Sequence, residues 1–398
     1  MPKSNSLRRG VAIKPNKIYM DYSASATPNP SSIHMLGLEA KIKLQNARKE
    51  VADVLGVHPE EVIFTSGGTE SNNLAIQGVV LAWHKKNLEK ILPHIITTNI
   101  EHPSVLETCK LLTERKFAEV SIVPVEKNGI VDPKKIKKEI KDNTVLVSVM
   151  YANNEIGTIQ PIKEIAKEIR HFNKINSIGR ITGEAKKILF HTDAVQAVNY
   201  LDLNVERLGV DLLSLSGTKI EGAGRIGVLY KRKSVELAPV FGGGDQENGL
   251  RPGTENLSEI LKFASALKLV NSAREKETKR LTILRDYFIK KLEALGQEII
   301  INGDLKNRLP NNVNITIPKI PSELLVIELS NKGIMASAKS ACKSGEAGGS
   351  YVIKAICRKP GGEVGGVRFS MGRQTTKKEI DYTVKSLSEI LKKLKKWS

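Results

Sequence analysis

The chain has 398 residues, enough for a large domain and a smaller companion, and its 40% hydrophobic and 26% charged residues are those of an ordinary globular protein. Its 62 basic and 43 acidic side chains leave a net charge of +19. They are spread along the chain with only 5% aromatic residues and no nucleic-acid motif, so a solvated basic surface is expected and direct nucleic-acid binding is not. No apolar run is long enough to span a bilayer. The three unevenly spaced cysteines (Cys109, Cys342, Cys357) exclude a disulfide framework or a Cys-x-x-Cys zinc site and suggest a reducing cytoplasm.

The first twenty residues are basic without an apolar core of signal-peptide type, and read as a loose tail. Leu38, Ile42, Ala47, Val51, Val54 and Leu55 recur at helical spacing, predicting a helix from about His34 to Gly56. Strands and helices then alternate. Strands are expected at 62–65, 94–98, 120–123, 144–150 and 188–192, with helices at 70–83, 103–116, 133–141 and 162–172 between them. Asn173 to Lys187 reads as a surface loop. Val210 to Gly217 reads as a buried strand that delivers Lys219 beyond its carboxyl end, and a second apolar segment, 226–230, follows a glycine-rich turn. Such alternation predicts an α/β domain whose largely parallel sheet is covered on both faces. A long helix from Leu257 to about Ala294 should leave it for a smaller α+β unit, with strands near 312–317 and 367–370 and a closing helix at 377–397. The expected division is residues 22–270 for the large domain and 271–398 for the small one, with the segment 1–21 packing on the latter.

The polar residues that follow these strands carry the chemistry. Thr65-Ser-Gly-Gly-Thr-Glu lies at a strand-to-helix junction, where Gly68 lets backbone approach a phosphate and Thr69 adds a hydroxyl; a plain helix cap is the other reading. His102 could stack on a ring and exchange protons, or serve as a structural hydrogen-bonder. Asn154 follows the most apolar strand. Asp193 could keep a pyridinium nitrogen protonated or cap a helix, and Gln196 could reach a ring hydroxyl or complete that cap. Lys219, an amine on a short turn between strands, is placed to form a Schiff base with a carbonyl cofactor. Their joint occurrence at five strand ends is what one pyridoxal phosphate pocket needs.

From Asp21-Tyr-Ser-Ala, Asn29-Pro-Ser-Ser-Ile-His and Glu101-His-Pro-Ser through Asn153-Asn-Glu-Ile-Gly, His191-Thr-Asp-Ala-Val-Gln and Ser216-Gly-Thr-Lys to Arg251-Pro-Gly-Thr, Ser340-Ala-Cys and Arg368-Phe-Ser-Met-Gly-Arg, the chain resembles a cysteine desulfurase of the NifS/IscS type. That group lies in the class V aminotransferase family of fold-type I pyridoxal phosphate enzymes. The resemblance implies Lys219 as the cofactor-bearing lysine, His102 stacked on the ring and Asp193 at the pyridine nitrogen. Gln196 and Asn154 would contact the ring hydroxyl, Asn154 also the substrate, and Gly68, Thr69, Ser216 and Thr218 the phosphate. Thr218 stands where the family usually has histidine. Thr254 would reach the phosphate site of a neighbouring subunit, implying a homodimer, and Arg368 would take the carboxylate of L-cysteine. Cys342, in a small polar glycine-rich stretch between Lys339 and Lys343, would carry sulfur as a persulfide to an iron–sulfur scaffold or sulfur-carrier protein, while Cys109 and Cys357 read as structural. A selenocysteine lyase, another class V aminotransferase and an inactive protein of this fold are the competing readings. Loss of sulfide on replacing Cys342, and a cofactor absorbance band, would separate them.

Overall fold

The sheet that organises this protein grows from its buried β-branched runs. The computed structural model describes residues 18–87, 91–178, 187–296, 298–338, 349–357 and 365–395. Helix α1 (Met35–Leu55) starts on His34, whose ring accepts the amide of Gly37. It stops at Gly56, a left-handed residue with φ 71°, as the expected helix required. The strands are β1 (Val62–Thr65), β2 (His94–Thr98), β3 (Glu119–Val123), β4 (Thr144–Ser148), β5 (Leu189–Asp193), β6 (Leu212–Ser216) and β7 (Gly227–Lys231). The first three crossover helices are α2 (Gly68–Lys86), α3 (Pro103–Glu114) and α4 (Pro133–Lys138). They are followed by α5 (Ile162–Ile178) and α6 (Val205–Leu208).

The seven strands order as β1-β7-β6-β5-β4-β2-β3. Pairs β6–β5, β5–β4, β4–β2 and β2–β3 are parallel, whereas β7 runs antiparallel to both β6 and β1. Two antiparallel steps return β1 to the direction of β6, so the carboxyl ends of β1, β2, β4, β5 and β6 all lie along one edge. Thr65 and Ser216 both sit opposite Gly227, which brings the turn after β1 level with the turn after β6.

Helix α5 runs past Phe172 to Ile178, so residues 173–178 of the expected Asn173–Lys187 loop are helical. The reason is Asn173: its side chain donates to the Ile188 carbonyl and accepts its amide, both at 3.0 Å, so the turn is docked on the entry to β5. Residues 179–186 of that stretch lie outside the described residues.

Helix α7 (Leu257–Glu293) leaves the large unit and continues through the small one. There β8 (Ile300–Ile301), β9 (Asn312–Thr316) and β10 (Val367–Ser370) form an antiparallel sheet in the order β10-β9-β8. Helices α8 (Ser322–Asn331) and α10 (Lys377–Lys395) cover it. Its core joins Leu281, Phe288, Val313, Ile315, Leu325, Phe369 and Leu387. Helix α9 (Tyr351–Ile356), though late in the chain, buries Val352, Ile353 and Ile356 in the core of the large unit. Of the segment expected to pack on the small unit, residues 1–17 lie outside the described residues; Tyr19 packs edge-on against Tyr22 and His34, at the start of α1.

Candidate active site

The five aligned strand ends enclose a cavity of about 240 Å³ lined by Gly68, Thr69, Asn72, His102, Ser104, Asn154, Asp193, Gln196, Ser216, Thr218, Lys219 and Arg368 among others. Every cofactor- and substrate-site residue expected from sequence is therefore brought together here, save Thr254. Thr254 is exposed and lines a separate cavity of about 160 Å³ with Ser66 and Arg251. Glu70, next in the chain to Thr69, ties together two residues of this second cavity: its carboxylate accepts the Ser66 amide at 2.8 Å and Arg251 Nε at 2.9 Å. Cys342 lies outside the described residues.

Sequence dictates the phosphate-sized end. Helix α2 begins at Gly68, so its first amides and the positive end of its dipole face the cavity. A Cβ at Gly68 would stand 2.8 Å from Val195 and 3.3 Å from Ser216, so only glycine lets the helix start this close to β6. Beyond it, Ser216 and Thr218 hydroxyls lie 3.0 Å apart, and the 3₁₀ turn Gly217–Lys219 presents the lysine to the cavity. A hydroxyl thus takes the place of the imidazole that the resemblance would put at residue 218. Asn199 Nδ2 pins the Lys219 carbonyl at 2.6 Å.

At the opposite end, Asp193 closes β5. Its Oδ1 accepts the Val195 amide at 3.0 Å and its Oδ2 accepts Asn72 Nδ2 at 2.7 Å. A turn rather than an α-helix follows it, so the helix-cap reading of Asp193 and Gln196 does not describe this structure. His102 is the N-cap of α3: Nδ1 accepts the Ser104 amide at 3.1 Å and lies 2.8 Å from Ser104 Oγ. Burial pushes its basicity below the ordinary histidine value and Lys219 adds to the effect, with Asp193 opposing both.

Arg368, on β10, reaches across from the small unit. Its Nη1 donates to the Asn154 carbonyl at 2.8 Å, and its Nε is buried without a hydrogen-bond partner. Burial lowers its pKa, while the nearby Glu155 carboxylate works the other way. The turn that carries Asn154 is clasped from the same side. Asn312 and Asn314 both donate to the Glu155 carbonyl, at 3.1 and 3.0 Å, and Gly157 adopts φ 71° where a Cβ would stand 2.7 Å from Asn312.

Among the described residues, three buried polar atoms around this cavity have no hydrogen-bond partner: Asn72 Oδ1, Asn154 Oδ1 and Arg368 Nε. Burying such atoms unpaired costs about 1–3 kcal/mol each, so this is a site built for a polar ligand. The amine, the carboxylate and the helix amino terminus match the aldehyde, ring nitrogen and phosphate of pyridoxal phosphate.

Several functional neighbours were not singled out in the sequence. Asn72 joins Asp193 to Ser104, its Nδ2 also donating to Ser104 Oγ at 2.8 Å. Glu101, next to His102 in the chain, is fully buried, accepting Thr98 Oγ1 at 2.6 Å and the Met150 amide at 2.9 Å; burial raises its carboxyl to about 8. Ser350 and Tyr351 donate to Glu155 Oε2 at 2.5 Å and to the Glu101 carbonyl at 2.6 Å. Cys109 is buried in α3 and its thiol is pushed up to about 12, which suits the structural role expected of it.

Residues 9–383 match the family model Aminotransferase class-V. The chain is 40% identical over 397 residues, 95% of each chain, to "Cysteine desulfurase IscS" of Dictyoglomus turgidum. Among solved structures it is similar to a NifS-like protein, at a TM-score of 0.80 and 35% identity over 92% of this chain and 91% of that one. It is also similar to SspA in complex with cysteine, at a TM-score of 0.69 and 31% identity over 86% and 90%.

Proposed function

The chain belongs to the class-V aminotransferase family, and from that membership we propose that it is a cysteine desulfurase. It would release L-alanine from L-cysteine and hold the sulfur as a persulfide on Cys342. The single observation that carries this reading is the cavity in which Lys219, Asp193, His102 and Arg368 converge around three buried unpartnered polar atoms.

When bound, pyridoxal phosphate supplies an electron sink beside the substrate's α-carbon. The first amides of α2, with Thr69, Ser216 and Thr218, would hold its phosphate, and the Asp193 carboxylate would keep its ring nitrogen protonated. Gln196 and Asn154 would hold its hydroxyl. Arg368 offers its unpaired Nε and the rest of its fork to the substrate carboxylate, fixing which bonds at the α-carbon face Lys219. Lys219 Nζ carries the α-proton. The Cys342 thiolate attacks the substrate sulfur; as that S–S bond forms the carbon–sulfur bond breaks, its electron pair stays with the β-carbon, and a proton completes L-alanine.

The place of Cys342 in the chain supports its role. Ser337 pairs with Arg368 through two backbone hydrogen bonds, 2.7 and 3.1 Å, and Ser350 is fixed to Glu155. Ser337, five residues before Cys342 in the chain, is thereby held on the strand that carries Arg368 of the cavity. The persulfide would pass to an iron–sulfur scaffold or sulfur-carrier protein in the cytoplasm.

We read the working unit as a homodimer, because Thr254 lies away from this chain's own cavity. Met35, Leu38 and Ile42 also form an exposed apolar row on α1 that a second copy would cover. The test is incubation of the cofactor-loaded protein with L-cysteine, measuring alanine and sulfide. Equimolar products that vanish in Cys342→Ser support the reading; sulfide that persists in Cys342→Ser, or an absent cofactor band, overturns it.

A further inference from the structure

The contacts around His102 have a fixed polarity that starts at Asp193. A carboxylate can only accept, and Asp193 Oδ1 already takes the Val195 amide. The side-chain group that Asn72 turns toward Oδ2 must therefore be its NH₂, which leaves Asn72 Oδ1 as the atom without a partner. The second hydrogen of the same NH₂ goes to Ser104 Oγ at 2.8 Å. Having accepted there, Ser104 Oγ directs its own hydrogen to His102 Nδ1 at 2.8 Å, and the Ser104 amide adds a second donor to that nitrogen at 3.1 Å. Two donors meet one ring nitrogen.

We propose that Ser104, oriented by Asn72 from Asp193, is a positioning residue that holds His102 in the tautomer with hydrogen on Nε2. His102 then faces the site as a hydrogen-bond donor and not as a proton acceptor. This deepens the desulfurase reading of the same cavity and rests on it for its chemical meaning. It implies that the proton leaving the substrate thiol is not taken by Nε2, and that this nitrogen stabilises negative charge developing on substrate or cofactor atoms instead. The charged groups that act on the ring are Asp193 from the end of β5 and Lys219 from the turn after β6; Glu101, its neighbour in the chain, is kept protonated at neutral pH by burial.

The tautomer is readable directly by NMR of the cofactor-loaded protein selectively labelled with ¹⁵N-histidine. The chain has 7 histidines, and His102→Asn identifies the signal. Hydrogen on Nε2, with Nδ1 an unprotonated acceptor, is expected in the native protein at neutral pH. In Ser104→Ala the loss of one donor to Nδ1 should raise the His102 titration midpoint by about one pH unit. Ser104→Asp, whose side chain only accepts, should move the hydrogen to Nδ1. Hydrogen on Nδ1 in the native protein, or a midpoint unmoved in Ser104→Ala, overturns the proposal. The readout needs no turnover, so a protein that shows the Nε2 tautomer yet makes no alanine sinks the desulfurase reading and leaves the proton placement standing.

Discussion

Glu101 is a carboxyl group where none can comfortably ionise. It is wholly buried, its two strongest partners are the Thr98 hydroxyl and the Met150 amide, and Asp193 adds repulsion to the cost of burial. Its pKa of about 8 exceeds that of the unfolded chain, so between roughly pH 4.5 and 8 the folded protein holds a proton that the unfolded chain has released. The stability this confers is complete below about pH 4.5 and is lost as pH rises through about 8, at up to about 1.4 kcal/mol per pH unit. Urea denaturation of Glu101→Gln should show a flatter decline between pH 6 and 9 than the native protein. Equal slopes would mean that Glu101 is ionised when folded. The motif Glu101-His102 was legible in the sequence, but only its histidine stood out. The partner that gives the acid its character, Met150, lies 49 residues away and is unremarkable in type.

Among elements, the strands and their polar ends were readable because each is a short apolar run followed at once by a chemistry-bearing residue. Asn72, Ser350 and Tyr351 were not, because they act on residues 121, 195 and 250 positions distant, while a helix accounts for each of them locally, Ser350 as the cap of α9 and the other two within α2 and α9. Helix α9 shows the consequence. Ser350 caps it, accepting the Ile353 amide at 3.1 Å, and in the same stroke binds Glu155 beside the Asn154 turn. Ser350→Ala removes a cap worth about 1 kcal/mol and deprives a buried carboxylate of a donor worth a further 1–3 kcal/mol. A fall of about 2–4 kcal/mol in unfolding free energy is expected, measured from the denaturant midpoint at constant slope. A change below about 0.5 kcal/mol would show that α9 is held by Val352, Ile353 and Ile356 alone.

For the whole molecule, the arithmetic of charge and composition set the class correctly but could not show how the two units are joined. That join is α7. Ile260, Phe263, Ala264 and Leu267 belong to the core of the large unit, and Leu281, Phe288 and Leu292 to that of the small one. At 37 residues it is about 55 Å of unbroken rod, with neither glycine nor proline along it. Two hydrophobic interiors threaded on one rigid axle cannot melt on separate schedules. Calorimetry should record a single endotherm whose van't Hoff and calorimetric enthalpies agree. Glu275→Pro, which breaks the axle between the two interiors, should split that endotherm into two.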